Sequence, residues 1–157
     1  MNNDEIEAVV LALIQHGRES VNPSAEQLRD LLGANPAGPF HFLNLLSFKE
    51  TAEYPAGHEL ADQRISGADA YDKYGAVALE HVIKRGGRLV TLNSVERQLA
   101  GRSTEWHRIA TMEYNNVGAF IDMLMDPQYQ EALVHRDAGL EATEIYVSRP
   151  LIAEPIG

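Results

Sequence analysis

A chain of 157 residues and 17.4 kDa, 45% apolar and 23% charged, fits one globular domain with a core of its own. It contains no cysteine, which excludes disulfides, thiolate zinc sites and cysteine nucleophiles. The 23 acidic residues against 13 basic ones give a net charge of -10, which repels phosphate backbones and anionic membranes, so neither nucleic acid nor membrane is an expected partner.

The apolar run Ala8–Ile14 is too short to cross a bilayer, and Asp4, Glu5 and Glu7 precede it where a signal peptide carries basic residues. A cytoplasmic location is the expectation. Val9, Val10, Leu13 and Ile14 recur at helical spacing after that acidic first turn, and Gly17 is the expected stop. A second helix starts with Ser24 as N-cap and Gln27 in the capping-box position, carries Leu28, Leu31 and Leu32, and is expected to end at Gly33. The breaker-rich segment Asn35–Pro39 then divides the chain. Residues 1–38 are read as an N-terminal helical extension and residues 39–157 as the main domain.

Phe40–Phe48 predicts a buried strand whose two faces are both largely apolar. Phe40, Phe42, Asn44, Leu46 and Phe48 share one face; His41, Leu43, Leu45 and Ser47 share the other. Thr51 to Arg64 is polar and turn-rich, and a long loop of this kind is often functional. Ser66 and Asp69 cap a helix reaching about Arg85, with Tyr71 and Tyr74 on one side, and Gly86-Gly87 ends it. Alternation from Arg88 to Ala100 predicts a second strand, Gly101–Glu105 a hairpin-like connection, and Trp106 to Tyr114 a third strand. Asn115-Asn116 opens a short helix from Val117 to Met125. Asp126-Pro127 starts another with proline at the first helical position, and Ala142 to Ser148 is the last strand.

Strand, helix, strand, strand, helix, strand is the order of a ferredoxin-like βαββαβ domain, an α+β fold with a four-stranded antiparallel sheet. Its helices cover one face only. An apolar second face calls for a twin sheet, so a homodimer is expected, two sheets enclosing a shared interior.

The blocks Phe42-Leu43-Asn44-Leu45-Leu46-Ser47-Phe48 and Tyr54-Pro55-Ala56-Gly57 resemble those of the bacterial family known as domain of unknown function 1330. Ser66–Tyr71, Tyr74-Gly75, Gly86–Arg88, Trp106, Asp126–Tyr129 and His135-Arg136 continue the resemblance in the family's order, over roughly Pro23 to Pro150. It implies the dimeric α+β barrel superfamily, which includes cofactor-free monooxygenases, lactone isomerases, dehalogenating and dehydrating enzymes, haem enzymes and ligand-binding regulatory domains. His41 departs from the family pattern, and the first helix is additional to it.

Candidate chemistry follows from residue type. Asn44 is the polar intruder on an apolar face; it either braces backbone or, as the resemblance implies, orients a substrate oxygen in the barrel interior. His135 and Arg136 supply a proton shuttle and an anion-binding fork, or else meet the helix dipole. Tyr54, Tyr71 and Tyr74 are candidate phenol donors to a substrate, or Tyr71 and Tyr74 are amphipathic packing residues, and Glu96 is a candidate base if it faces the interior, or else lies past the sheet edge in solvent. Trp106 is a candidate apolar wall, or a cation partner for Arg108. Glu105 and His107 lie two apart without a third ligand, so no metal site is expected. No phosphate-cradling loop, nucleophile elbow or HExxH spacing occurs. The Lys84-Arg85-Gly-Gly-Arg88 cluster is expected to be a solvated helix cap. The resulting expectation is a small-molecule-binding protein, either a cofactor-free enzyme of proton transfer, isomerisation or oxygenation, or a non-catalytic binding or dimerisation module. A haem-binding version through His41, His81 or His107 is a third possibility.

Overall fold

The computed structural model describes residues 1–157 apart from 16–19, 103–104 and 153. The expected stop at Gly17 and the tip of the Gly101–Glu105 connection lie outside the described residues. Two helices lead: α1 (Asn3–Ile14) and α2 (Ala25–Ala34). Each opens with a complete capping box. The Asn2 side chain accepts from Glu5 N at 2.9 Å while Asn2 N donates to the Glu5 carboxylate at 2.8 Å, and Ser24 and Gln27 repeat the exchange at 3.2 and 2.9 Å. α2 passes Gly33 and ends instead at Asn35, whose φ of 37° is left-handed and whose N–H reaches Leu31 O. Asparagine tolerates that conformation almost as glycine does.

The strands and remaining helices are β1 (Phe40–Phe48), α3 (Gly67–Lys84), β2 (Arg88–Ser94), β3 (Arg108–Tyr114), α4 (Val117–Leu124), α5 (Pro127–Gly139) and β4 (Leu140–Ser148). The sheet order is β2-β3-β1-β4, every pair antiparallel, which is the ferredoxin-like α+β topology. β2 and β3 are shorter than their alternation predicts, and β4 is longer. β2 stops at Ser94 because its partner β3 begins only at Arg108; beyond it, Val95 N still donates to His107 O, and then pairing ceases. β4 starts earlier than Ala142, since α5 runs straight into it through the fully buried Leu140. Among the described residues no helix is long and apolar enough to cross a membrane.

Residues opposite one another in the ladder share a face. Phe40, Phe42, Asn44 and Leu46 of β1 therefore lie on the helix side with Tyr114, Met112, Ala110 and Arg108 of β3. His41, Leu43 and Leu45 share the open face with Glu113, Thr111 and Ile109. At one end of the helix side, Phe40, Phe42, Tyr114 and Phe120 pack ring on ring, with centroids 4.9 to 6.4 Å apart. Ile6 and Val10 of α1 and Leu28 and Leu32 of α2 belong to this same core, so the N-terminal extension shares the domain's interior. At the other end Val21, Leu46, Phe48 and Leu140 form a smaller core. Asn44 stands between the two.

α3 and α5 touch backbone to backbone where Gly67 meets Gly139. A Cβ at Gly67 would sit 2.6 Å from Gly139 O, and one at Gly139 would sit 2.3 Å from Gly67 O. In the basic cluster at the end of α3, Lys84 and Arg88 are exposed as expected, whereas Arg85 is structural. Arg85 binds Asp122 at 2.6 Å and Asp126 at 3.0 Å, fastening α3 to α4 and α5, while Arg88 binds Glu113 at 2.9 Å on the open face.

Candidate functional site

Between the sheet, α3, α4, α5 and the N-terminal hairpin lies a cavity of about 320 Å³. That volume is within the range of small-molecule sites. Its walls are mostly apolar, with Leu13 and Ile14 of α1, Leu28 of α2, Leu124 of α4, Leu133 of α5 and Ile145 of β4. Polar groups enter at a few points only.

Asn44 is one of them. Its Nδ2 donates to Phe42 O at 3.1 Å and Ala110 O at 3.2 Å, so both amide protons are used in bracing the β1–β3 ladder. Its Oδ1 has no protein partner among the described residues. Asn44 thus braces backbone and offers a free acceptor at the cavity wall.

Arg136 is the second. It is 5% exposed, and its Nη1 donates to Val21 O and, at 2.7 Å, to Asn22 Oδ1. The guanidinium carbon lies 5.8 Å from the centre of the Tyr74 ring. These contacts bind α5 to the segment entering α2. They leave Nε and Nη2 without a protein acceptor among the described residues.

Four tyrosines line the cavity too, as do Asn22, Ser24 and Gln130. The hydroxyls of Tyr74 and Tyr129 meet at 2.8 Å. Those of Tyr71 and Tyr114 have no hydrogen-bond partner among the described residues, although both residues line the cavity. Burial pushes the phenols of Tyr71, Tyr114 and Tyr129 well above the ordinary tyrosine range, and the Arg136 charge pulls weakly the other way in each. They are therefore neutral donors at physiological pH.

The structure brings Asn44, Tyr71, Tyr74 and Arg136 together. It separates the others. Asn44 lies on the helix-covered face, inside the protomer, and not on the sheet face that a twin sheet would cover. His135 is next to Arg136 in sequence, yet neighbours on a helix point about 100° apart. Its Nδ1 lies 2.8 Å from the Tyr54 hydroxyl, and Tyr54 stacks on His58 at 4.5 Å, so this group belongs to the loop after β1 and not to the cavity. Burial, then the positive charges of His58 and Lys73, hold His135 below the ordinary histidine value. Glu96 is exposed beyond the end of β2, so it does not face the interior. Trp106 precedes β3, half-buried and off the cavity wall, and Arg108 lies over Phe48 at 4.9 Å instead. Of the eight candidate residues, Asn44, Tyr71, Tyr74 and Arg136 line this cavity and the other four lie outside it.

The three histidines weighed for haem are each engaged in a different part of the fold. His41 binds Glu113 at 2.9 Å, His81 Nδ1 lies 3.0 Å from Arg85 Nη1, and His107 Nδ1 accepts from Phe48 N at 2.9 Å. Among the described residues no cluster of three metal-ligating side chains occurs. Tyr114 and Tyr129 are cavity residues that the sequence did not single out. Tyr114 was legible as the β3 residue in register with Phe40, but only once the pairing was known.

The sheet order and the cavity define a ferredoxin-like α+β protein with a small-molecule-sized chamber between sheet and helices. The family described as Domain of unknown function (DUF1330) matches residues 56–149. The chain belongs to that family. The matched stretch contains Tyr71, Tyr74 and Arg136 but not Asn44. A crystal structure of the methylated RPA0582 protein is 30% identical with a TM-score of 0.77, covering 89% of this chain and 99% of that one. RPA0582 from Rhodopseudomonas palustris, a protein of unknown function, gives 30% identity and a TM-score of 0.76 in a second structure, covering 86% of this chain and 99% of its own. A dabb family protein with a ferredoxin-like fold from Mesorhizobium loti aligns at 19% identity and a TM-score of 0.40, over 73% of this chain and 98% of that one. No curated protein matches the chain.

Proposed function

We propose that this protein binds a small organic molecule in the cavity between sheet and helices. The observation that carries the reading is the pairing of an apolar chamber with polar atoms that have no partner among the described residues: Asn44 Oδ1, the Tyr71 and Tyr114 hydroxyls, and two nitrogens of Arg136. Buried polar groups are normally paired, so a set of unpaired ones at one chamber wall is matched to a ligand or to water. A thermal-shift screen of metabolites tests it. Compounds that raise Tm should do so less in a Leu133→Trp variant, which fills the chamber; hits unaffected by that change would place binding elsewhere.

A second reading, cofactor-free catalysis by proton transfer, isomerisation or oxygenation, is favoured by the donors Arg136, Tyr71 and Tyr114. Donors held ready in a dry chamber are what a developing oxyanion requires. Incubating each hit and searching for product separates the two readings, because stabilisation without turnover is binding alone. We further propose a cytoplasmic bacterial homodimer joined through the open face of the sheet. That face carries Leu43, Leu45 and Ile109 at its centre, and Tyr146 beside them is 54% exposed. Sedimentation at micromolar concentration checks this, and a monomer would overturn it. A net charge of -10 argues against nucleic acid and anionic membranes as partners.

A further inference from the structure

Among the described residues, four arginines are paired with carboxylates. Arg29 binds Glu7 at 2.6 Å, Arg85 binds Asp122 and Asp126, Arg88 binds Glu113 and Arg108 binds Asp72. Arg136 is more buried than any of these, and it is the one held by neutral oxygens: the Val21 carbonyl and the Asn22 amide. Among the described residues no carboxylate lies within ion-pair distance of it. The adjoining Asp137 accepts from Asn22 Nδ2 at 2.9 Å instead. A buried cation paired with no carboxylate among the described residues is an arrangement that costs stability until an anion arrives.

Resting on the cavity-binding reading above, we infer that the ligand is an organic monoanion, a carboxylate on a compact apolar body, seated on Arg136. Nη1 is anchored by Val21 and Asn22, which fixes the plane of the guanidinium while neutralising none of its charge. Nε and Nη2 remain as a two-pronged donor, the geometry that carboxylates take. The Tyr71 and Tyr114 hydroxyls are further donors at the same chamber. Among the described residues no second cation lines it, so a single negative charge is matched and a phosphate dianion is not. Phe42, Leu133 and Ile145 provide the apolar surface for the rest of the molecule.

The same residue ties the ligand to the N-terminal hairpin. Nη1 holds the segment leading into α2, and Leu13 and Ile14 of α1 and Leu28 of α2 form part of the chamber wall.

The test compares benzoate with benzamide, its neutral counterpart of nearly equal shape, by titration calorimetry and thermal shift on the full chain. Benzoate is expected to bind about tenfold more tightly or better, as a charge-assisted pair requires. In Arg136→Gln, folding being checked by circular dichroism, that preference is expected to shrink to within about threefold. Tyr71→Phe removes a hydroxyl with no protein partner, so it keeps the fold intact, and it is expected to weaken benzoate several-fold while leaving benzamide less affected. Equal binding of the two probes, or a preference for benzamide, would overturn the anion while leaving the cavity reading in place. Binding of neither at millimolar concentration would also overturn it, and the cavity reading would then be judged by the metabolite screen and the Leu133→Trp variant.

Discussion

Along one pair of helices the molecule is as tight as a protein can be and, a turn or two further, hollow. At Gly67 and Gly139 the backbones of α3 and α5 approach so closely that no Cβ fits. Followed forward from there on α3 and backward on α5, the next residues are Tyr71 and Tyr74 on one side and Arg136, Leu133 and Tyr129 on the other, and these line the chamber. The contrast shows how a 157-residue domain keeps a cavity. The glycine contact clamps the two helices at one end, the Phe40–Phe42–Phe120 rings pack solidly at the other, and the space between spans Asn44. A chamber held between two dense regions does not collapse readily.

Breaking the dense end should have the largest effect. Gly139→Ala forces a Cβ against Gly67 O at 2.3 Å and Tyr71 N at 2.9 Å, both backbone atoms that have no room to yield. The expected loss is about 3 kcal/mol, read as a lower denaturant midpoint at unchanged slope. Asn44→Ala comes next. It removes the bonds to Phe42 O and Ala110 O and should cost about 1–2 kcal/mol, together with any affinity that depends on the Asn44 oxygen.

The tyrosines sharpen the comparison further. Tyr129→Phe deletes one partner of the 2.8 Å hydroxyl pair and should cost about 1 kcal/mol. Tyr71→Phe deletes a hydroxyl that the unliganded protein leaves unpaired, so it should be neutral or slightly stabilising. Equal losses from the two changes would mean that the Tyr71 hydroxyl has a structural partner, and the chamber would lose one of its free donors.

How much of this was legible in the sequence depends on whether the signal was local. Ser24 with Gln27, Asp126-Pro127 and the strand at Phe40 are written in adjacent residues, and each formed where its chemistry places it. The parity of β1 put Asn44 on the same face as Phe42, which is enough to bring it to the chamber. Glu96 and Trp106 were misplaced because alternation continues through them while strand length is set by the partner, and β3 begins only at Arg108. His135 and Arg136 read as one motif, but the helix turns between them. Leu28 and Leu32 announced an apolar stripe on α2; that the stripe would join the Phe40 core and help wall the chamber was a long-range fact that no local pattern carries.

The smallest expected effect concerns the two neighbours at that turn of α5. Of these, histidine is the side-chain type that titrates near neutral pH. The folded protein holds His135 below the ordinary value of 6.5, first by burial and then by the charges on His58 and Lys73. Between that ordinary value and the depressed folded one, the unfolded chain binds more protons than the native protein, so stability must fall as pH drops through this window and level off below it. The Tyr54 contact survives, since a protonated Nδ1 donates to the hydroxyl it otherwise accepts from. Glu113 behaves in the same sense, in a more acidic window. Arg88 and His41 hold it below its ordinary value of 4.5, so its contribution is intact above that value and is lost only as pH falls through the depressed one. Urea midpoints measured from about pH 7.5 down to about pH 5.5 should therefore decline modestly in the native chain and stay flatter in His135→Gln, while Glu113→Gln should leave that slope unchanged. An identical slope in all three would place the titrating group somewhere other than α5.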